Sequence, residues 1–200
     1  MKKLLTISLF VFGIAILSSA QGVSVGLRAG MNLANATFKS SGVSVTPDAK
    51  VGFLAGAYLS VMFTEKLGLM PEAVFSTQGF KIDLGSSGSL TENFSYVNVP
   101  VLVRYNIVKY LNVHVGPQFG ILMAAKGKSS GSSSVDIKDQ LKTTDISAVA
   151  GAGVDLPLGL SAGLRYQLGL SNIDDSGTSG VTVKNKTFIV YVGYKLFGKK

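Results

Sequence analysis

The chain has no cysteine, no tryptophan and one histidine, and charged residues make up only 15% of its 200 residues. The absence of cysteine excludes disulfides and thiolate metal sites. A single imidazole without thiols leaves no donor set for a zinc site, so we expect neither a metal nor another cofactor. Beyond the N-terminus the chain also lacks an apolar run of the about 20 residues that a spanning helix needs.

The N-terminus has the pattern of a secretory signal peptide. Lys2 and Lys3 precede an apolar core at residues 4–17, and small residues at 18–20 provide a cleavage site. A transmembrane anchor is the alternative, but the apolar core is shorter than the about 20 residues of a spanning helix. We therefore predict a signal peptide at residues 1–20, cleaved after Ala20, and a single domain at residues 21–200.

The formal net charge of the chain is +8, of which the predicted signal peptide carries two lysines. A basic chain can bind nucleic acid. Here the lysines are dispersed, mostly between the predicted strands, and form no basic stripe with interleaved aromatic residues. We therefore expect no nucleic-acid partner, and solvated lysines in loops that can contact anionic lipid headgroups.

What the chain has instead is a long alternation of apolar and polar residues. In residues 93–118, NFSYVNVPVLVRYNIVKYLNVHVGPQ, two alternating runs are joined by a very short link. Side chains on a strand point to opposite faces with period two, so this stretch predicts two paired strands. The runs exceed the roughly 5–6 residues of a usual strand and match the roughly 9–11 residues with which a tilted strand crosses a bilayer.

The same alternation recurs along the chain and predicts eight strands. They lie at about residues 23–35, 50–63, 67–80, 96–107, 111–125, 144–156, 160–172 and 186–197. Their connections are alternately long and short, with short turns near Glu65, Lys109 and Leu158 and both chain ends on the side of those turns. This asymmetry is typical of bacterial outer-membrane barrels. We therefore predict an all-β, eight-stranded antiparallel up-and-down transmembrane β-barrel in the bacterial outer membrane.

One face of every predicted strand is bulky and aliphatic, and the other is rich in glycine, serine, asparagine and glutamine. An eight-stranded barrel has an interior only wide enough for side chains or one small ligand. The aliphatic face is too large for that interior and is predicted to face lipid, whereas a soluble, lipocalin-like barrel would place it inward. Aromatic residues near the strand ends are predicted to form two interfacial girdles: Phe53, Phe63, Phe75, Tyr105, Phe188 and Tyr194.

The inward face carries most of the charges within the strands. The short turns fix two registers, which place Tyr58 opposite Glu72 and Arg104 opposite His114. Charges removed from water must be paired, so we expect the arginines at similar depth to gather around Glu72. The predicted polar cluster of the lumen is Arg28, Tyr58, Glu72, Arg104, His114 and Arg165.

Two interpretations of this cluster remain open: a plug of salt bridges that closes the lumen, and a gated path for protons or ions. A hydrolytic site would need His114 as the base, with Ser60 or Ser161 and a carboxylate nearby. Such a site would lie inside a narrow barrel, out of reach of a substrate. We favour the plug and expect no catalytic residues and no enzymatic activity.

Pro100 and Pro117 lie inside predicted strands. Proline lacks the N–H group that the ladder of a closed sheet uses, so we expect a bulge or an irregular bond at each.

Five segments carry a resemblance to a known family: VSVGLRAGMNLAN (23–35), YVNVPVLVRYNI (96–107), VHVGPQFGIL (113–122), ISAVAGAGVDL (146–156) and GLRYQLGLSNI (163–173). In this order and spacing they resemble the PorT-like outer-membrane β-barrel proteins of the Bacteroidota. The resemblance implies an eight-stranded barrel and, for some relatives, a link to the type IX secretion pathway. The family often has an acidic residue before the Ile-Pro or Val-Pro pair of strand four, where this chain has Asn98.

The leading functional hypothesis is a non-enzymatic outer-membrane barrel with a structural, anchoring or interaction role through its loops and periplasmic turns. Its partners would be outer-membrane lipid and secretion or envelope proteins. The alternatives are a transport role, as a narrow pore or a component of a protein-secretion apparatus, and a soluble barrel that binds a ligand.

Overall fold

The computed structural model describes residues 21–198, apart from residues 41–42, 84, 86–87, 131–132 and 176–180. The predicted signal peptide at residues 1–20 lies outside the described residues. The strands are β1 Gly22–Ser40, β2 Val43–Val45, β3 Asp48–Met62, β4 Leu67–Asp83, β5 Ser89–Val108, β6 Leu111–Ser129, β7 Val135–Asp136, β8 Thr144–Asp155, β9 Leu160–Gly169 and β10 Val181–Gly198. Short 3-10 turns occupy Lys138–Gln140 and Pro157–Gly159. No helix in the described part of the chain is long and apolar enough to cross a membrane.

Eight of the strands form a closed antiparallel ring in chain order. Each long strand pairs with the next one, and β10 pairs with β1, so that the ring has no free edge. The two short strands lie outside the ring, where β2 pairs with β1 and β7 pairs with β6. Closure satisfies the backbone N–H and C=O groups, which a bilayer cannot hydrogen-bond. The predicted eight-stranded up-and-down barrel is confirmed.

The two faces of each strand have the predicted polarity. Outward side chains are exposed and apolar, such as Leu27 at 51% and Val190 at 50% exposure. Inward side chains such as Asn32 and Gln167 are buried. The apolar outer band therefore faces lipid, and the soluble lipocalin-like alternative, which needs the aliphatic face inside, is wrong.

Most of the strands are longer than the alternation predicted. β1, β4, β5, β6 and β10 have 17–20 residues, about twice the roughly 9–11 residues needed to cross a bilayer. The additional residues lie at the end of the long connections, which is the outer end in barrels of this type. We call this part the outer platform: residues 35–40, 78–83, 89–95, 125–129 and 181–187, with the connection 135–141.

The two prolines affect the ladder without shifting its register. The pairing of β4 with β5 skips Pro100, between the pairs Pro71–Val101 and Val74–Asn98. The pairing of β5 with β6 likewise skips Pro117 on β6. The expected irregular bonding is present at both sites, but neither site has a bulge. Register shifts occur elsewhere, including a wide interruption between β3 and β4.

Inward glycines make room for large side chains in the narrow lumen. A Cβ atom on Gly163 would lie 2.5 Å from the hydroxyl oxygen of Tyr191, and one on Gly153 would lie 2.7 Å from it. A Cβ atom on Gly26 would lie 2.5 Å from the ring of Tyr58. Glycine is therefore needed at these positions for the space that it leaves, which allows two tyrosines to cross the lumen.

Candidate functional site

Glu72 on β4 lies at the centre of the lumen, and its side chain is fully shielded from solvent. Arg165 on β9 donates two hydrogen bonds to its carboxylate, of 2.8 Å from Nη1 to Oε2 and 2.7 Å from Nη2 to Oε1. Arg28 on β1 donates a further bond from Nη1 to Oε1 of the same carboxylate. Bidentate and charge-assisted bonds of this kind are the strong ones in proteins. They connect three strands of the ring through one carboxylate.

Two arginines on one carboxylate leave an excess positive charge, which lies against aromatic rings. The guanidinium carbon of Arg28 lies 4.2 Å from the ring centroid of Tyr191, and that of Arg165 lies 4.7 Å from the same centroid. Arg28 also lies 4.9 Å from the ring centroid of Tyr58. Cation–π attraction grows when the partners are desolvated, so the two tyrosines stabilise the second arginine. We call these five residues the Glu72 cluster.

His114 on β6 extends the network towards the short turns. Nε of Arg165 donates to Nε2 of His114 at 3.0 Å, which requires Nε2 to be unprotonated. The proton of the neutral ring is then on Nδ1, which donates to Oδ1 of Asn112 at 3.2 Å. Both ring nitrogens are therefore occupied by bonds within the lumen.

Arg104 on β5 lies opposite His114, as its register predicted, but its guanidinium does not join Glu72. Arg104 pairs with Asp155 on β8 and donates from Nε to Oδ1 of Asn106 at 3.0 Å. Asn112 donates to the same Asp155 carboxylate at 3.1 Å. The predicted position of Arg104 around Glu72 is thus wrong, because an acidic partner lies closer across the lumen. Among the described residues, its bonds lead to the cluster through Asp155, Asn112 and His114.

Above the Glu72 cluster a layer of amides and hydroxyls fills the lumen. Asn32 donates to the Ser76 hydroxyl at 3.2 Å, and Gln167 donates to the Ser147 hydroxyl at 3.2 Å. The cavity between this layer and the cluster has a volume of only about 20 Å³. That is room for one or two water molecules, since each needs about 10–15 Å³ on this measure. The side chains therefore close the lumen.

The outer platform has an apolar core of its own. This core joins Ala36, Phe80, Phe94, Ala125 and Val183 of the platform to the adjoining buried residues Tyr96, Leu122 and Ile173. The rings of Phe80 and Phe94 pack edge to face at 5.8 Å. Ile137 and Leu141, from the connection between β6 and β8, pack against this core and close it. Glu92 lies here, beyond the lipid-facing band, and burial raises the pKa of its carboxyl.

The end of the barrel with the short turns is open, in contrast to the lumen above it. A vestibule of about 420 Å³ is lined by Tyr58, Arg104, Lys109, Asp155, Ser161 and Lys195, among others. The Ser161 hydroxyl is buried there without a hydrogen-bond partner among the described residues. At the rim, Leu158 is 83% exposed and has a φ of 65°, in the left-handed region that leucine rarely adopts.

Comparisons with known proteins agree with this architecture. The model of a family described as outer membrane protein beta-barrel domain matches residues 18–175, more than half of the chain. The chain belongs to this family. It is therefore an outer-membrane β-barrel protein of bacteria, as the alternation and the turn lengths predicted. A comparison with curated protein sequences found no match.

Solved structures of outer-membrane proteins share the fold of this family member. Ail, the attachment invasion locus protein of Yersinia pestis, matches with a TM-score of 0.51 and 20% identity over 88% of this chain and 99% of Ail. Neisserial surface protein A matches with a TM-score of 0.50 and 13% identity over 85% of this chain and 97% of that protein. At such identities the likeness shows the fold alone.

The residues considered for catalysis lie within the lumen of this family member. Among the described residues, His114 bonds to Arg165 and Asn112, and Ser161 lines the vestibule. Within the part of the chain that the structure describes, no three His, Asp or Glu side chains are grouped closely enough to hold a metal ion.

Five of the six aromatic residues predicted for the membrane interface are exposed on the outer wall. The ring centroids of Phe53 and Phe75 are 6.1 Å apart on neighbouring strands, on the side of the long connections. Tyr105 and Tyr194 are exposed nearer the short turns, and Phe188 is exposed nearer the platform. Phe63 follows β3 at the first short turn and is half-buried. These positions suit two girdles, which remain a prediction.

Sequence reasoning missed two groups of residues in the lumen. Tyr191 was not recognised, although it has the inward parity of Gly193 and Thr187 on the same strand. The aromatic core of the outer platform was also missed, because its residues lie in segments whose sequence predicts loops or strand ends. Parity alone would have pointed Phe80, Phe94 and Tyr96 inward.

Proposed function

We propose that this outer-membrane barrel is a non-enzymatic interaction and anchoring protein that acts through its ends, not through its lumen. The observation that carries the proposal is the closed lumen between two differently built ends. The Glu72 cluster and the layer above it leave a cavity of only about 20 Å³. By contrast, the outer platform is an ordered extension with its own core.

The outer platform has the properties expected of a surface for macromolecular contact. Its strands continue the ring by hydrogen bonding, so its outer surface needs little ordering when a partner binds. Ordering costs reduce affinity, and a preformed surface avoids much of that cost. A conducting pore gains nothing from such an extension, whereas an adhesive or scaffolding protein gains reach beyond the lipid headgroups.

Ail has also been solved in complex with the heparin analogue sucrose octasulfate. That structure matches this chain with 19% identity and a TM-score of 0.50, so the two proteins share the same architecture. Ail is named for attachment and invasion. The likeness supports only the general idea that a small closed barrel can serve contacts at the cell surface.

Site-specific photocrosslinking in cells tests the proposal. A photoreactive phenylalanine analogue at Val135, which is 64% exposed on the outer platform, is expected to form adducts with a macromolecule at the cell surface. The matched control is the same analogue at Val192, 60% exposed on the lipid-facing wall, which should give lipid adducts only. Adducts absent at Val135 under every growth condition, together with solute flux through the purified protein, would contradict the proposed role.

A second candidate function is a component of a secretion apparatus, as the PorT-like resemblance implies. The observation that favours it is the vestibule, which opens on the side of the short turns and has a strained, exposed leucine at its rim. Strained residues that persist in a fold often mark functional contacts. The photoreactive analogue at Leu158 should then crosslink to a periplasmic protein, and a Leu158→Asp substitution should abolish secretion while the barrel still assembles.

A further inference from the structure

A basic groove lies on the outer wall of the barrel, where β9, β10 and β1 pass from the lipid-facing band to the outer platform. Its volume is about 210 Å³. Leu168 and Leu170 form its apolar side, and the basic side is formed by Lys39, Lys184 and Lys186. Lys186 pairs in register with Leu168, so the charged and apolar parts of the groove meet directly.

The three lysines have no acidic counterpart in the described structure. Ion pairs among the described residues involve arginines, and none of the three lysines has one. The side chains of all three lysines lie on the outer face of the barrel. On β10, Lys184 and Lys186 follow the same alternation as Phe188 and Val190, which face the membrane, and Lys39 lies on the outer face of the neighbouring β1. Like charges on one groove repel each other unless an anion lies between them.

Thr37 provides a second, independent indication of a polar ligand. It lines the groove opposite Lys184 and is only 7% exposed. Its hydroxyl has no hydrogen-bond partner among the described residues. Buried hydroxyl groups are nearly always paired, so an unpaired one in a groove of lysines indicates a missing acceptor.

We propose that this groove binds an anionic, phosphate-bearing lipid of the outer leaflet. The lysines contact the phosphate, the Thr37 hydroxyl donates to one of its oxygens, and the acyl chains run down the wall along Leu168 and Leu170. The position of the groove at the boundary of the apolar band selects a lipid over a soluble anion, because a soluble anion would leave the leucine side unused. The inference does not depend on the proposed interaction role.

Native mass spectrometry of the folded protein in neutral detergent tests this site. The probe is dioleoyl phosphatidate, a phosphate-monoester lipid, compared with dioleoyl phosphatidylcholine and with inorganic phosphate. The wild type is expected to retain one phosphatidate and to bind the other two at least about tenfold more weakly, since each lysine near a membrane surface contributes appreciably to anionic lipid binding.

The variants separate a built site from general attraction. Lys184→Ser/Lys186→Ser is expected to lower phosphatidate retention by about tenfold or more. Thr37→Val, which keeps the shape of the side chain, is expected to lower it by about threefold to tenfold. The matched control Lys126→Ser/Lys128→Ser removes the same charge from β6, across the barrel, and should change retention less than about twofold.

Three results would overturn the proposal. An equal loss of phosphatidate retention in the two double-lysine variants would show that net charge attracts the lipid without a specific site. Equal retention of phosphatidylcholine would show an apolar surface that does not recognise phosphate. Inorganic phosphate that displaces the lipid at an equal concentration would show a site for a soluble anion. Heat-modifiable migration in gels checks that every variant is folded, and Thr37→Val supplies the test if the lysine pair fails to assemble.

Discussion

At the scale of single residues, Glu72 decides the charge balance of the lumen. Two guanidinium groups converge on its carboxylate, and both are almost wholly buried. Removing one member of a buried ion pair leaves an uncompensated charge, which commonly costs about 3–5 kcal/mol. Without the Glu72 carboxylate, both Arg28 and Arg165 would be buried charges without an acidic partner, because no other carboxylate is bonded to either of them in the described structure.

Glu72→Leu is therefore expected to lower the free energy of unfolding by about 3–5 kcal/mol. The measurement is urea-induced unfolding in detergent or lipid, followed by heat-modifiable migration. Glu65→Leu is the matched control, because Glu65 lies in the exposed turn between β3 and β4 and its side chain has no ion pair in the described structure. Equal destabilisation by the two substitutions would mean that the arginines do not depend on Glu72.

Leu158 carries backbone strain at the rim of the vestibule. Its φ of 65° is in a region that costs a residue with a branched or bulky side chain about 1–3 kcal/mol. Asparagine tolerates this region better, so Leu158→Asn is expected to raise the free energy of unfolding by about 1 kcal/mol. Leu156→Asn, at an exposed extended position two residues earlier, should bring no such gain. An equal gain in both variants would show that polarity, not strain, is responsible.

Residue contacts were predictable from the sequence only between neighbouring strands. A short turn fixes the register of the two strands that it joins, and the pairs Tyr58–Glu72 and Arg104–His114 follow from it. Contacts across the lumen depend on the tilt and stagger of the closed barrel, which no single turn determines. This is why the partner of Arg104 was missed and why the role of Tyr191 became visible only in three dimensions.

At the scale of elements, the outer platform is a structural unit distinct from the membrane-spanning band. Its rings and aliphatic side chains pack on each other, whereas the lumen below them holds the buried ion pairs of Glu72 beside smaller apolar clusters. The alternation in the sequence predicted the spanning parts of the strands because lipid demands an apolar outer face there. Beyond the lipid the outer face no longer has to be apolar, so outward residues there are polar. The sequence of the continuing strands therefore resembles that of loops.

Phe94→Ala is expected to open the outer platform without unfolding the barrel. Phe94 is 1% exposed and contacts both Phe80 and Tyr96, and such truncations in a core cost about 3–5 kcal/mol. Limited proteolysis of the protein in lipid should then cut within the platform, while the protected core keeps its heat-modifiable migration. Phe119→Ala on the lipid-facing wall is the control and should leave proteolysis unchanged. Loss of heat-modifiable migration in Phe94→Ala would contradict a separate platform.

At the scale of the whole molecule, an eight-stranded ring leaves so little interior that side chains alone close it. The closed barrel could be predicted from the sequence. Charges in a narrow lumen must be paired, and the paired side chains occupy the space inside the ring. The ends were less predictable, since the vestibule and the platform arise where the repeating pattern of the wall stops. A protein with this shape presents its ends to partners and its wall to lipid.

Single-channel recording on the purified wild-type protein tests the closed lumen most directly. The folded barrel is reconstituted into a planar bilayer, and a general porin treated in the same way serves as the positive control. We predict no discrete conductance steps, because the cavity beside the Glu72 cluster has a volume of only about 20 Å³ and does not connect the two ends as a channel would. Reproducible steps from the folded wild-type barrel would contradict a closed lumen and favour the narrow pore.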